Sequence, residues 1–397
     1  MISAKNNSHV VARPWFAVSS IGLSTFAVVT TEMLPVGLLK PIAETLGISV
    51  GIAGLMISLP ALFAALFAPL IILASGGMDR RKILCLLMLL LVIANIVSGI
   101  STSLTFLLTA RIAVGFCMGG IWAIAGGLAS RLVAPSSVGF ATSIIFGGVA
   151  AASVFGVPIG AFIGDAFGWR ISFFCIAIFA AIVLLLLYQS LPSLPISDSI
   201  TLKKYAEVVV NKKIIIGLLI TLFIVSGHFM AYTFVQPLLQ VVAEFPSYWV
   251  GPILFMYGIF GIIGNFIAGI ISARNIILTI ILISIGLTAS ILLFPILGTS
   301  YIGSSIVILL WGLSYGGVSV SLMTWMIKSS PKLIEISTSL YISFFNISIS
   351  LGAFSGGYLV DKYGLLNSTL IAGFIVLIAF ILIIFNMKTF AKTIAGR

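Results

Sequence analysis

Apolar residues run along this chain in unbroken stretches of twenty or so, separated by short polar clusters. That is the pattern of membrane-crossing helices rather than of barrel strands, which alternate over about ten residues. Twelve helical spans are predicted, at about 15–39, 51–75, 83–100, 103–127, 138–163, 171–190, 214–240, 249–273, 276–298, 301–327, 336–360 and 366–387. Connections are short except between spans six and seven. There Leu191-Pro192-Ser193-Leu194-Pro195 stops the sixth helix and a polar stretch runs on through Lys213. The expected organisation is an N-terminal six-helix bundle over 1–190, a cytoplasmic linker over 191–213 and a C-terminal six-helix bundle over 214–397. The fold class is an all-α membrane protein of two pseudo-symmetric halves.

Composition agrees. Of 397 residues, 61% are apolar and 7% charged, against about 25% charged in a soluble domain. The net charge of +11 points to nucleic acid only until the charges are placed. With the N-terminus inside, sixteen of the 20 Lys and Arg fall on the cytoplasmic side: Lys5, Arg13, Arg80, Arg81, Lys82, Arg131, Lys203, Lys204, Lys212, Lys213, Arg274, Lys328, Lys332, Lys388, Lys392 and Arg397. The outer loops receive Lys40, Arg170 and Lys362. This positive-inside bias accounts for the basic balance, excludes a nucleic-acid partner and puts both termini in the cytoplasm. Cys85, Cys117 and Cys175 fall in apolar runs at no ligand-like spacing and read as packing residues. The first run is too long for a signal-peptide core and is expected to stay in the mature chain.

The halves repeat. A shift of 196 positions lays Thr142 and Ser143 on Thr338 and Ser339, Gly156 and Gly160 on Gly352 and Gly356, and Asp165 and Gly168 on Asp361 and Gly364. Span five is thus echoed by span eleven in the same direction. Repeats with a binding site between them are a transporter pattern.

Few groups inside the spans can carry chemistry. Glu32, Arg111 and His228 stand nearly alone, and ionisable residues within a membrane commonly mark pathways. Glu32, beside Thr31, lies in the outer part of span one and Arg111 at similar depth in span four, so an ion pair is expected. A nearby cation favours the charged carboxylate and burial the neutral one, so Glu32 can exchange a proton when the protein changes shape. The plainer reading is a structural tether between helices. His228, Tyr232 and Gln236 follow at intervals of four on one face of span seven, able to hydrogen-bond a polar ligand or a neighbouring helix. Trp122, in line with Arg111 on span four, and the Trp311–Tyr315 pair on span ten offer faces for a flat ligand or plain packing. Trp15 and Trp325 read as interfacial anchors. The glycines of spans four, five and eleven permit close helix approach, whether for rocking or static packing. Pro158 frees a carbonyl in span five and can bend it. No metal cluster, catalytic dyad or phosphate loop appears, so neither an enzyme nor a cofactor is expected.

These residues resemble the major facilitator superfamily over essentially the whole chain. Gly77-Met78-Asp79-Arg80-Arg81-Lys82 resembles its loop signature between spans two and three, in shortened form. The resemblance implies that Asp79 caps a helix of the other half and locks one conformation, with Arg80 and Arg81 in the same switch. Arg111-Ile112-Ala113-Val114-Gly115 resembles the span-four motif tied to proton coupling. Gly156-Val157-Pro158-Ile159-Gly160 resembles the span-five antiporter motif, with Val157 separating the usual Gly-Pro pair; it implies export. Thr31-Glu32-Met33-Leu34-Pro35 and Gly168-Trp169-Arg170 look like the drug:proton antiporter-1 group. Within it, Arg13-Pro14-Trp15, Thr324-Trp325-Met326-Ile327 and Gly356-Gly357-Tyr358 with Asp361 resemble bacterial purine-ribonucleoside efflux pumps, while the His228 stretch resembles sugar-efflux relatives.

The expectation is a proton-coupled exporter of small organic molecules in the bacterial inner membrane, working by alternating access as a single chain among lipids. Protonation of Glu32 would weaken its tie to Arg111. Thr31, Trp122, His228, Tyr232, Gln236, Trp311 and Tyr315 would bind substrate; Asp79, Arg80, Arg81, Gly156, Pro158 and Gly160 would serve the conformational switch. Purine ribonucleosides, sugars and drugs such as antibiotics remain open as substrates, as does a facilitator without proton coupling.

Overall fold

The computed structural model describes residues 14–74, 78–134, 137–194, 208–330 and 333–394. Much of the expected linker, with Lys203 and Lys204, lies outside them, as do Lys5, Arg13, Gly77, Lys332 and Arg397, and the side chains of Thr142, Ser143, Lys388 and Lys392. Among the described residues twelve helices are long and apolar enough to cross a membrane: Pro14–Gly37, Val50–Ile71, Arg80–Ile100, Leu104–Ala125, Gly147–Phe167, Trp169–Ser190, Lys212–Tyr232, Ser247–Ser272, Ile276–Leu297, Tyr301–Ser329, Ile336–Tyr363 and Leu365–Asn386. Large apolar side chains such as Leu66, Phe106, Phe162, Ile178, Phe266 and Phe385 point outward, as a protein solvated by lipid requires. Twelve crossings bring Pro14 and Asn386 to one face, the terminal face; the opposite face is distal.

Local chemistry sets the ends of the spans. Ser103, Asn211, Asn275 and Ser300 cap helix N-termini through their side chains. Span one is α-helical over Pro14–Met33, tightens to a 3₁₀ turn over Leu34–Gly37 and resumes as Leu39–Leu46. Pro35 has no N–H to continue the ladder. Span seven likewise ends at Tyr232, and a short turn at Val235–Pro237 leads into a π-turn over Leu238–Val242. Span five carries a π-turn at Ala152–Gly156, immediately before Pro158.

The sequence repeat is also a packing repeat. A Cβ on Gly156 would strike Thr30, and one on Gly352 would strike Ser226, which is Thr30 shifted by 196. Gly160 meets Leu34 and Gly356 meets Met230, again one shift apart. Ser172 donates to the Gly160 carbonyl, and its counterpart Ser368 donates to that of Gly356. These glycines therefore seat span five on span one and span eleven on span seven, each within one half. They let the paired spans approach closely within each half.

The halves meet at the distal face. Val36, Ile57, Ala61 and Val157 of the first half join the apolar core of the second. Gly51 and Gly357 come into backbone contact. Asp361 accepts from the Gly51 N–H at 3.0 Å and from the Ser49 hydroxyl at 2.5 Å, and Gln236 accepts from the Lys40 N–H at 3.2 Å. Trp325 corrects its expected role. It is buried, packs on Gly217 and donates to the Lys213 carbonyl at 3.0 Å, so it joins helices inside the protein instead of facing lipid.

Candidate functional site

Two clusters of buried polar groups face each other across the halves. The first surrounds the break in span one. Because Pro35 is four residues after Thr31 and lacks an N–H, the Thr31 carbonyl loses its helical donor. Arg111 from span four supplies the missing one, Nη1 donating at 2.8 Å. Its Nη2 donates to Ser98 Oγ at 3.3 Å, and its guanidinium lies over the Phe173 ring at 5.1 Å. Asn95 Nδ2 donates to Thr31 Oγ1 at 3.1 Å and to the Leu91 carbonyl at 2.9 Å. Thr31 is thus gripped at backbone and side chain, both from within the first half.

Glu32 follows directly. It is 4% exposed, so its carboxylate lies inside protein and not against lipid. Among the described residues no ion pair joins it to Arg111, although the two are within electrostatic reach. The expected direct tie is therefore replaced by one through the neighbouring backbone. Glu32 Oε1 has no hydrogen-bond partner.

The second cluster is aromatic. His228 Nδ1 accepts from Trp311 Nε1 at 2.9 Å. The imidazole stacks on Tyr315 with ring centroids 3.4 Å apart and planes 7° from parallel, and on Tyr232 at 4.9 Å and 20°. Tyr232 stacks in turn on Tyr257 at 4.9 Å, and Phe229 meets His228 edge-on. His228 Nε2 and the hydroxyl of Tyr257 are buried without partners. Tyr315 links the clusters, because it stacks on His228 and is within electrostatic reach of Glu32 and Tyr341.

Some expected members lie elsewhere. Gln236 leaves the His228–Tyr232 face because span seven breaks ahead of Pro237; it sits at the distal seal on Lys40. There a polar hollow of about 230 Å³ is lined by Lys40, Glu44, Asp165, Gln236, Gln240 and Ser247 among others. Trp122 packs half-buried at the edge of the first half's core. Tyr257, Tyr341, Asn95 and Ser98 were missed. Single polar groups in apolar spans are their only sequence signal.

Asp79 also departs from expectation. It accepts from the Arg81 N–H at 2.9 Å, from Ser193 Oγ at 2.7 Å and from the Leu194 N–H at 2.8 Å, in its own loop and the start of the linker rather than in the other half. Partial burial pushes its carboxyl up, but these bonds and the Lys82 charge outweigh it and hold the group below the ordinary carboxylate value. Arg80 N–H donates to the Leu194 carbonyl and Arg81 Nη2 to that of Tyr188, so the loop is pinned to the end of span six. With the halves joined at the distal face, the cross-half clasp is formed there by Asp361 and not by Asp79.

Comparison with known proteins agrees with this architecture. The model of the Major Facilitator Superfamily matches residues 21–353. The purine ribonucleoside efflux pumps NepI of Escherichia coli (strain K12) and Shigella flexneri are each 30% identical over 389 residues, covering 98% of this chain and of theirs. Among solved structures, a bacterial homolog of the human lysosomal transporter Spinster, inward-facing and unoccupied, superposes with a TM-score of 0.75 at 16% identity, covering 96% of this chain and 98% of that one. The human organic anion transporter MFSD10 (TETRAN) superposes with a TM-score of 0.67 at 18% identity, covering 94% and 99%. Twelve spans in two repeated halves, joined around buried polar clusters, and a family match across most of the chain make one conclusion: this chain is a multi-pass membrane transporter belonging to the Major Facilitator Superfamily.

Proposed function

We propose that this transporter exports small organic molecules in exchange for protons, with purine ribonucleosides as its substrates. The observation that carries the reading is Glu32: a carboxylate buried within the protein, with an unpartnered oxygen, beside a helix break held by Arg111 and within reach of Tyr315. It lies within electrostatic reach of the same tyrosine that stacks in the aromatic cluster. A buried carboxylate with so few donors can be neutral in one conformation and ionised in another, which is what coupling needs.

Orientation follows from the basic residues: the terminal face is cytoplasmic, and the distal seal closes the outer side of a bacterial cytoplasmic membrane. In that state substrate enters from inside. Protonation of Glu32 from outside accompanies its release, with the chain acting alone. Stacking faces beside an unpaired hydroxyl and an imidazole suit a heteroaromatic base, and the NepI relatives support that class. The test is efflux by reconstituted protein under an imposed proton gradient, with inosine, arabinose-like sugars and amphiphilic drugs competed in one assay. Inosine export abolished by collapsing the gradient supports the reading. Export that ignores the gradient would leave a facilitator, and preference for a drug would leave a multidrug pump, since the cluster's uncharged faces also suit flat amphiphiles.

A further inference from the structure

We propose that His228 is a fixed, neutral Nε2–H donor that reads an acceptor atom on the edge of the ligand, that Trp311 holds it in this state, and that it carries no proton during transport.

The indole N–H of Trp311 can only donate. It points at Nδ1 of His228 from 2.9 Å, so Nδ1 must present its lone pair. A neutral imidazole that accepts at Nδ1 carries its hydrogen on Nε2. A second proton would have to sit on Nδ1, head-on against the Trp311 hydrogen. The groups around the ring offer no compensation. Phe229 and Tyr232 face it from span seven, and Trp311 and Tyr315 from span ten. Tyr257 of span eight lies behind Tyr232, and Tyr341 of span eleven lies within electrostatic reach of Tyr315. The acidic group within electrostatic reach of the cluster is Glu32, and it faces Tyr315 rather than the imidazole.

His228 thus offers one hydrogen at Nε2, buried and unpartnered, and the hydroxyl of Tyr257, stacked behind Tyr232, is unpartnered as well. Orphan donors in a packed interior are costly and call for a missing acceptor. Two stacked tyrosines fix the ring plane, so the direction of that donor is set before a ligand arrives. The fitting ligand is a flat heteroaromatic with a ring nitrogen or carbonyl oxygen on its edge. Naming it a purine base rests on the function proposed above; the state of the imidazole does not. Glu32 and His228 occupy equivalent places one repeat shift apart, which divides the labour: the first half moves the proton and the second half recognises the cargo.

The chain has two histidines, His9 and His228, so His9→Ala in protein labelled with ¹⁵N-histidine leaves one imidazole to observe. The expected spectrum shows one protonated nitrogen, Nε2, and one bare nitrogen, Nδ1, unchanged from about pH 5 to 8. Trp311→Phe should bring titration into that window. An imidazolium signal from the otherwise native ring in this range, or the proton on Nδ1, would overturn the proposal. Binding is read with inosine and its 3-deaza and 7-deaza analogues. One analogue should bind about tenfold more weakly than inosine; His228→Phe should lose that discrimination and His228→Gln should keep part of it. Unchanged discrimination in His228→Phe overturns the recognition role. If no nucleoside binds, the substrate reading falls, and the nitrogen signals still decide the state of the ring.

Discussion

Arg111 donates to the carbonyl of Thr31, the one carbonyl that Pro35 leaves without its helical N–H. The arginine thus completes a broken helix and fixes the residue before Glu32. Removing its side chain leaves that carbonyl orphaned, at a cost of about 1–3 kcal/mol. Arg111→Ala should therefore lower the unfolding temperature in detergent. Adding Pro35→Ala, which restores an N–H, should recover part of the loss. A double variant no more stable than Arg111→Ala would mean that the guanidinium acts chiefly as a charge.

Asp361 closes the distal face by accepting from Gly51 and Ser49 across the halves. Hydrogen bonds to a charged acceptor are worth about 1.5–3 kcal/mol. Asp361→Ala should raise the population open on that side about tenfold or more. The check is the labelling rate of a cysteine at Ala43, which lines a distal hollow and is 3% exposed in the closed protein. Equal rates with and without the aspartate would show that the clasp does not set the equilibrium.

The repeated glycine joints should not be equally tolerant. At Gly352 an added Cβ meets the Ser226 backbone, which cannot yield; at Gly160 it meets the end of the Leu34 side chain, which can turn. Gly352→Ala should destabilise by about 1–3 kcal/mol and Gly160→Ala by less. Thermal unfolding of the two variants ranks them.

The loop after span two gives a prediction about pH. Asp79 sits below the ordinary carboxylate value in the folded protein, so its contribution is complete above that value. It is lost only as pH falls through the lowered one. Asp79→Ala should cost the same stability at pH 7 and at about pH 5. A deficit that shrinks over that interval would show that the carboxylate is not held by Arg81, Ser193 and Leu194.

Much of this was legible beforehand because lipid permits few solutions. Apolar run length marks the spans, and the shift that maps Gly156 onto Gly352 also maps Thr30, on which Gly156 packs, onto Ser226, on which Gly352 packs. Glu32, Arg111, His228, Trp311 and Tyr315 stood out as polar or amphipathic groups in apolar surroundings, and the structure brings them to two facing clusters. Reading side chains alone missed the backbone. Arg111 was matched to the nearest carboxylate, when the stronger claim came from a carbonyl stripped by Pro35. Gln236 was counted along an ideal helix that ends at Tyr232. Tyr257 carries no sequence signal, because a tyrosine in an apolar span reads as packing until its hydroxyl is seen unpaired.

The central claim is that Glu32 gives up and takes on the transported proton. It is tested most directly by adding inosine to purified protein in weakly buffered detergent and recording proton release. The account predicts release from the unaltered chain and none from Glu32→Gln at saturating inosine, with gradient-driven export lost in parallel. Undiminished release from Glu32→Gln would contradict it.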